Sequence, residues 1–477
     1  MLAIIVIVYF ALLVIISRYT AGRADNHTFF SAERRSPWWA VAFGMLGASM
    51  SGVTFVSVPG MVLTSDMTYL QMCLGFVPGY ALVAFVLLPL YYRLNLTSIY
   101  TYLERRFNTA SYRTGTLFFI ISKMAGASVR LYLVSLILQR LVFDPLRIPF
   151  ALSASLLLLL VWLYTHRGGI KTIVWTDCLQ TLVMLTALVL IIRAVLSAQQ
   201  WDLSSACQMI RESPMSRVFD TRLSSPTYFW KQFLSGIFIV IVMTGLDQDM
   251  MQKNLTCRTL RQSQLNMLVN GILYLPANLL FLCLGVLLVL FSDQHGIAIP
   301  ARGDELLPML CAGGYLGQAA LLCFSVGIVA AAFSSADSAY TALTTSVCVD
   351  LVRRPGDKRL RQYVHVSVII LSLVFILLFS VLNSTSVIDA VYQIASYTYG
   401  PLLGLFAFGL FTRRMPRPLC VPLVCLSAPF ICWLLSVLSL RLWGYHFGYE
   451  LLMLNGLLVF IGLLLCSRKG SVELPVP

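Results

Sequence analysis

The chain alternates long apolar runs with short polar, base-rich stretches. A helix needs about 20 mostly apolar residues to cross the hydrocarbon of a bilayer, with roughly 17 as a lower bound. Thirteen segments meet or approach that length: 2–16, 39–63, 70–92, 116–141, 150–164, 173–196, 229–246, 267–291, 315–350, 364–382, 390–411, 419–440 and 451–466. The pattern predicts an all-α integral membrane protein with about 13 transmembrane helices. The fifth segment is short, and the ninth is long enough to tilt or to run on beyond the membrane.

Composition agrees with this and charge adds an orientation. Of 477 residues 58% are apolar and 11% charged, whereas an ordinary soluble domain carries about a quarter charged residues. A net charge of +14 would suggest a nucleic-acid partner in a soluble chain. Sorted by loop, however, about two-thirds of the bases fall on one side, which predicts N-out, C-in by the positive-inside rule and leaves no nucleic-acid partner to invoke. The first segment lacks a basic leader and is followed by Arg18, so it is expected to stay as an uncleaved helix. The longest polar loop, 197–228, falls outside and reads as a cap or lid.

Several chemistries find no support. Most of the twelve cysteines lie inside apolar runs and read as small core hydrophobes. Cys207 and Cys311 fall in predicted outer loops and could pair on location alone. The five histidines lack the i, i+4 spacing of a helical zinc pair. No nucleophile and base share a span, no loop resembles a selectivity filter, and the stretch after Cys466 is too short for a signalling domain. Sequons stand at Asn95, Asn254 and Asn383. The first two fall on the cytoplasmic side, where glycosylation is not expected.

Polar and flexible residues at membrane depth are tolerated where they line a cavity or pack on protein, so they mark the functional core. The second segment carries Gly44, Gly47, Ser49, Ser51, Gly52 and Thr54, then Pro59 and Gly60. Such density means either close helix packing or a helix unwound at mid-membrane, with backbone carbonyls free for a cation. The ninth carries Ser334, Ser335, Asp337 and Ser338, at i, i+3 and i, i+4 spacings that place their oxygens on one stripe. Either these oxygens ligate a hard cation, or the serines bond back to their own helix and Asp337 pairs with a base such as Lys123 or Arg130. Asp177, near one end of the sixth segment, either joins them or snorkels to water.

Taken together these stretches resemble the sodium:solute symporter family, whose members carry sugars, proline, sialic acid and monocarboxylates. The matching residues are Pro37-Trp38-Trp39, Gly168-Gly169 through Trp175-Thr176-Asp177-Cys178-Leu179-Gln180, Asp247-Gln248 with Gln252, Ser334-Ser335, and Tyr399-Gly400-Pro401-Leu402-Leu403-Gly404 ahead of Thr412-Arg413-Arg414. They extend over about residues 30–415. The resemblance implies a leucine-transporter-type core of two inverted five-helix repeats, 36–197 and 228–415. An extra first helix with its loop would occupy 1–35, and two trailing helices with a short tail 416–477.

It also implies site residues. A principal sodium site would use the carbonyls of Gly47, Met50 and Ala331 and the hydroxyls of Ser334 and Ser335. A second cation site would use Asp177, Ser334, Asp337 and Ser338, although relatives with that site have serine where this chain has Asp337. Substrate-binding candidates are Ser51, Thr54, Gln71 and Arg130. A guanidinium in the cavity would suit a carboxylate, and Arg130 otherwise serves as a structural partner. Met243 stands where sugar carriers of the family place a gating tyrosine, which disfavours simple hexoses. Asp247, Gln248 and Gln252 are the inner-gate candidates. The expected function is sodium-coupled import of a small organic solute (sialic acid, sugar, monocarboxylate or amino acid) by a monomer in the plasma membrane. The alternatives are proton coupling through Asp177 and Asp337, or a solute sensor that does not transport.

Overall fold

Uninterrupted apolar runs fold here as long helices, and the runs break where glycine, serine and proline cluster. The computed structural model describes residues 2–21, 29–30, 32–223, 225–382 and 387–469. Helix α1 (Leu2–Ala21) leads into α2 (Trp38–Ser49) and α3 (Gly52–Ser65), one apolar stretch bent by 57° between its halves. Then come α4 (Tyr69–Arg93), the short α5 (Thr101–Arg106), α6 (Thr109–Phe143), α7 (Phe150–His166) and α8 (Gly169–Ala198). After α9 (Leu203–Glu212), α10 (Phe229–Gly245) and α11 (Gln248–Asn254) form a second bent pair, at 69°. Helix α12 (Leu260–Gln294), the short α13 (Leu306–Ala312), α14 (Gly317–Leu351) and α15 (Lys358–Leu382) follow. A third pair, α16 (Val387–Thr398) and α17 (Gly400–Phe411), bends by 45°. The last helices are α18 (Cys420–Trp443) and α19 (Leu451–Leu465). Strands β1 (Arg414–Pro416) and β2 (Ser467–Lys469) pair antiparallel, Met415 opposite Arg468.

Among the described residues, by length and composition seven helices are able to cross a membrane unbroken, three more spans come from the bent pairs, and three further apolar helices are shorter. The chain is an all-α, multi-span membrane protein. Helix α14 is the most enclosed of the long unbroken helices and lies along α8, with α6 and α3 against its other faces. Helices α15 and α18 keep mostly exposed apolar surfaces, as lipid-facing helices do.

The fifth and sixth apolar segments run on without a loop between them. They part at Gly169, whose φ of +52° lies in the left-handed region, and a β-carbon there would lie 2.5 Å from the Phe29 ring. Glycine alone meets both demands. The 197–228 segment does fold over one end of the bundle. Its Asp220 accepts hydrogen bonds from Arg222, Ser225 and Thr227, which hold this carboxyl well below the usual carboxylate range, with Arg222 contributing most.

Cys207 is exposed on α9, Cys311 is buried in α13, and neither is in a disulfide. Asn254 is fully buried and accepts a hydrogen bond from Asn266, which by itself closes that sequon to modification. Asn383 lies outside the described residues.

Candidate functional site

Three helices are interrupted at depth, and each break leaves backbone groups without helical partners. The breaks differ in what satisfies them. At the second, between α10 and α11, the Tyr91 hydroxyl donates to the Gly245 carbonyl at 2.8 Å and that of Tyr100 to the Leu246 carbonyl at 2.9 Å. Asp247 caps α11 by accepting from the amides of Asp249 and Met250. At the third, the Asn455 amide donates to the carbonyls of Ser396 and Tyr397, both at 2.9 Å.

The first break is left open. Helix α2 closes with Met50 N–H on the Leu46 carbonyl, and α3 starts with Phe55 N–H on the Ser51 carbonyl. Among the described residues no backbone amide continues the ladder onto the carbonyls of Gly47 or Met50. Ser51 precedes α3 in an extended conformation, φ −71° and ψ 173°, and its side chain makes no cap. The small residues also provide close packing. A β-carbon on Gly47 would lie 1.9 Å from the Thr181 hydroxyl, and one on Gly52 3.6 Å from Ala332. The two readings of this glycine- and serine-rich stretch are thus compatible, because the packing holds the broken helix against α8 and α14.

One turn along α14 from Ala332, which packs against Gly52, the Ser335 hydroxyl bonds to the carbonyls of Ala331 (3.1 Å) and Ala332 (3.2 Å) of its own helix. Its two lone pairs remain available to a cation. Ser334 instead donates across to Asp177 Oδ1 at 2.8 Å. Ser338 bonds back to the Ser334 carbonyl at 3.0 Å and reaches Asp249 Oδ2 at 3.3 Å. Asp337 accepts from the Tyr164 hydroxyl (3.0 Å) and from Ser338 N–H (2.5 Å). Neither Lys123 nor Arg130 pairs with it, and among the described residues no base lies within 4.0 Å of its carboxylate.

The bases go elsewhere. Lys123 on α6 meets Asp249 Oδ2 at 2.7 Å and Asp247 Oδ2 at 3.1 Å. The Tyr399 hydroxyl donates to the same Asp247 oxygen at 2.5 Å. Lys253 on α11 meets Asp177 Oδ2 at 2.8 Å, with exposures of 1% and 0%. The sequence reading missed Lys253 and Asp249. Sorting bases by loop places Lys253 on the cytoplasmic side, yet Asp249 and Lys253 stand at i, i+4, the spacing of a helical pair. That spacing, next to an apolar span, is the signal that could have found them.

A cavity of ≈ 90 Å³ opens between the first and second breaks. Ser51, Thr54, Lys123, Arg130, Asp247 and Tyr392 are among the residues that line it. Lys123 is bound to its two carboxylates, whereas Arg130 makes no hydrogen bond or ion pair with any described residue. A wider cavity of ≈ 530 Å³ lies toward the 197–228 end. Tyr69 lines the wide one and Tyr392 the narrow one, with their hydroxyls 3.1 Å apart, so this pair stands between the two spaces.

Gln71 lines neither cavity. Its amide donates to the Thr227 carbonyl at 2.9 Å and accepts from Asp220 N–H at 3.1 Å, tying α4 to the covering segment. Gln248 bonds Ile99 N–H and the Thr97 carbonyl, both at 2.9 Å. Gln252 donates to the Phe30 carbonyl at 2.8 Å and to Thr345 at 3.1 Å. Together they fasten α11 to the end of the bundle away from the covering segment.

Comparison with known proteins agrees with this arrangement. The chain is 28% identical to the human sodium/iodide cotransporter over 420 residues, covering 83% of this chain and 63% of that protein's length. It is 24% identical over 465 residues to the sodium/sialic acid symporter NanT of Aliivibrio fischeri, covering 92% and 88%. Its fold matches the outward-open structure of a Na⁺-coupled sialic acid symporter with a TM-score of 0.82, over 98% of this chain and 99% of that one at 20% identity. The family model for the sodium:solute symporter family matches residues 29–418, so the chain, with its broken helices set around a cavity, belongs to the sodium:solute symporter family.

Proposed function

We propose that this protein is a sodium-coupled secondary active transporter that imports a small organic anion by alternating access. The observation that carries the reading is the open first break. The other two breaks have carbonyls capped by side chains, while this one leaves the Gly47 and Met50 carbonyls without a backbone partner among the described residues, next to Gly52, which packs on Ala332. Buried carbonyls are rarely left unpaired, and oxygen is the donor a hard cation requires. Sodium bound by Gly47, Met50, Ala331, Ser334 and Ser335 would order the break whose other side, at Ser51 and Thr54, faces the solute. Each ligand then strengthens the other, a coupling typically of about 1–3 kcal/mol.

The solute assignment rests on Arg130. A guanidinium that lines the cavity without a carboxylate partner suits a carboxylate on the solute. The relatives named for iodide and for sialic acid both carry anions. Asp247, Gln248 and Gln252 would hold the inner gate, and the Tyr69–Tyr392 pair the passage from outside. In this reading the unbroken, broken and short helices make thirteen spans. They run N-out, C-in in the plasma membrane of a functional monomer, ten of them in two inverted repeats (36–197 and 228–415).

The test is the melting temperature of purified protein with sodium or potassium as the only cation, across a panel of monocarboxylates, sialic acids, amino acids and sugars. A ligand stabilises the state that binds it, so a carboxylate solute is expected to raise the melting temperature in sodium and not in potassium. Stabilisation in potassium to the same degree, with uptake that follows pH, would replace sodium by the proton. A shift produced only by neutral sugars would remove Arg130 from the solute site.

A further inference from the structure

We propose that the Lys253 ammonium is the built-in cation of the second cation position, so that this chain binds one sodium ion where the second set of oxygens would otherwise take another. The inference rests on the sodium-coupled reading above and concerns only how many ions are carried.

Each member of that set is engaged by the chain itself. Asp177 gives one oxygen to the Ser334 hydroxyl and holds the Lys253 ammonium on the other, at 2.8 Å. Ser338 turns its hydroxyl to its own helix. Asp337 accepts from Tyr164 and from a backbone amide, and lies within Coulombic reach of both Asp177 and Lys253. Lys253 has no competing engagement of comparable strength, since Asp249 is 3.8 Å away and has Lys123 at 2.7 Å. The ammonium carries the charge a sodium ion would bring, at full burial, beside the carboxylate that would attract it. A second monovalent cation placed among these buried oxygens would meet a like charge in a low-dielectric setting, where repulsion is strong. The principal position differs in charge: apart from Ser334, which both sets share, its oxygens are backbone carbonyls and the Ser335 hydroxyl, and none of the described ion pairs includes a base at the first break.

The test is equilibrium binding of radioactive sodium to the purified full-length protein in lipid nanodiscs, read as sites per chain. Wild type is expected to bind at one site, and Lys253→Met, which frees Asp177, at two. Two sites in wild type, or one in folded Lys253→Met, would overturn the inference. Asp177→Asn combined with Lys253→Met removes the pair without leaving a lone buried charge, and guards against misfolding of the single variant. That double variant is expected to keep one site, with its affinity changed less than about threefold. Loss of its sodium binding would mean that Asp177 ligates sodium and would equally overturn the inference. Absence of any sodium site in wild type would instead bring down the sodium-coupled reading itself.

Discussion

The first and second breaks lie on opposite walls of one cavity and solve the same problem in opposite ways. At the second, aromatic hydroxyls and an acidic cap satisfy the interrupted backbone, and Lys123 balances the cap. At the first, glycines and serines crowd the break around Met50, and no described backbone amide claims the carbonyls of Gly47 and Met50. A break completed by its own protein is a joint that keeps its geometry without a ligand. One left incomplete is finished by something that arrives. In the proposed reading that difference separates a gate from a cation site, although both are bent helices of similar length.

The contrast can be broken from either side, and the largest effect is expected at the completed break. Lys123→Ala leaves two buried carboxylates without their base, so folded yield and melting temperature should fall by the equivalent of about 3–5 kcal/mol. Retention of wild-type stability would mean that Asp247 and Asp249 are not held as an ionic group. Arg130→Gln should leave stability nearly intact and weaken solute-dependent stabilisation by about 1.5–3 kcal/mol, as loss of a charged hydrogen bond does. A thermal-shift titration checks this, and equal shifts in both proteins would contradict the solute assignment. Gly47→Ala should cost about 1–3 kcal/mol by driving a methyl into Thr181, with partial recovery in a Thr181→Ala background. A double-mutant cycle of melting temperatures measures that coupling.

Ser335→Ala removes one hydroxyl ligand and should raise the sodium concentration for half-maximal stabilisation roughly tenfold, about 1.4 kcal/mol, while potassium controls stay unchanged. The smallest effect belongs to the covering segment. Asp220 is held ionised by Arg222, so its contribution is present above the ordinary carboxylate pKa of about 3.9 and lost as pH falls further below it. Proteolysis of the 215–228 stretch should therefore be constant from about pH 7 to pH 5, and Asp220→Asn should speed it throughout. A pH-dependent rise within that window would contradict this reading.

How far the sequence was readable follows from the range of the forces involved. The apolar runs 70–92, 116–141 and 267–291 lie inside helices α4, α6 and α12, and 315–350 coincides with α14 to within two residues, because burial in lipid depends on local composition. The first break and the Ser334–Ser338 stripe were legible because small and polar residues are conspicuous in an apolar run. The resemblance to the symporter family pointed to the same places. Lys253 was not legible as a site residue. Whether a base at the end of a span meets water or a carboxylate depends on Asp177, on another helix, and only packing brings the two together. Gln71 shows the reverse. It sits on a helix that borders the cavity, yet its amide is spent on the covering segment, which is set by the course of a loop without apolar periodicity. Asp337 was expected either to take part in a cation site or to find a base. Among the described residues it finds no base, and it accepts from Tyr164 and a backbone amide, a partnership that no spacing in the ninth segment encodes.

The most direct measurement is hydrogen exchange of the purified protein, resolved by peptide, in sodium and in potassium at equal ionic strength. If sodium completes the first break, amides of residues 47–55 should exchange more slowly in sodium, while those of 246–252 should exchange alike in both salts. Equal protection at the two breaks, or protection at 246–252 alone, would contradict the assignment of the open break as the cation site.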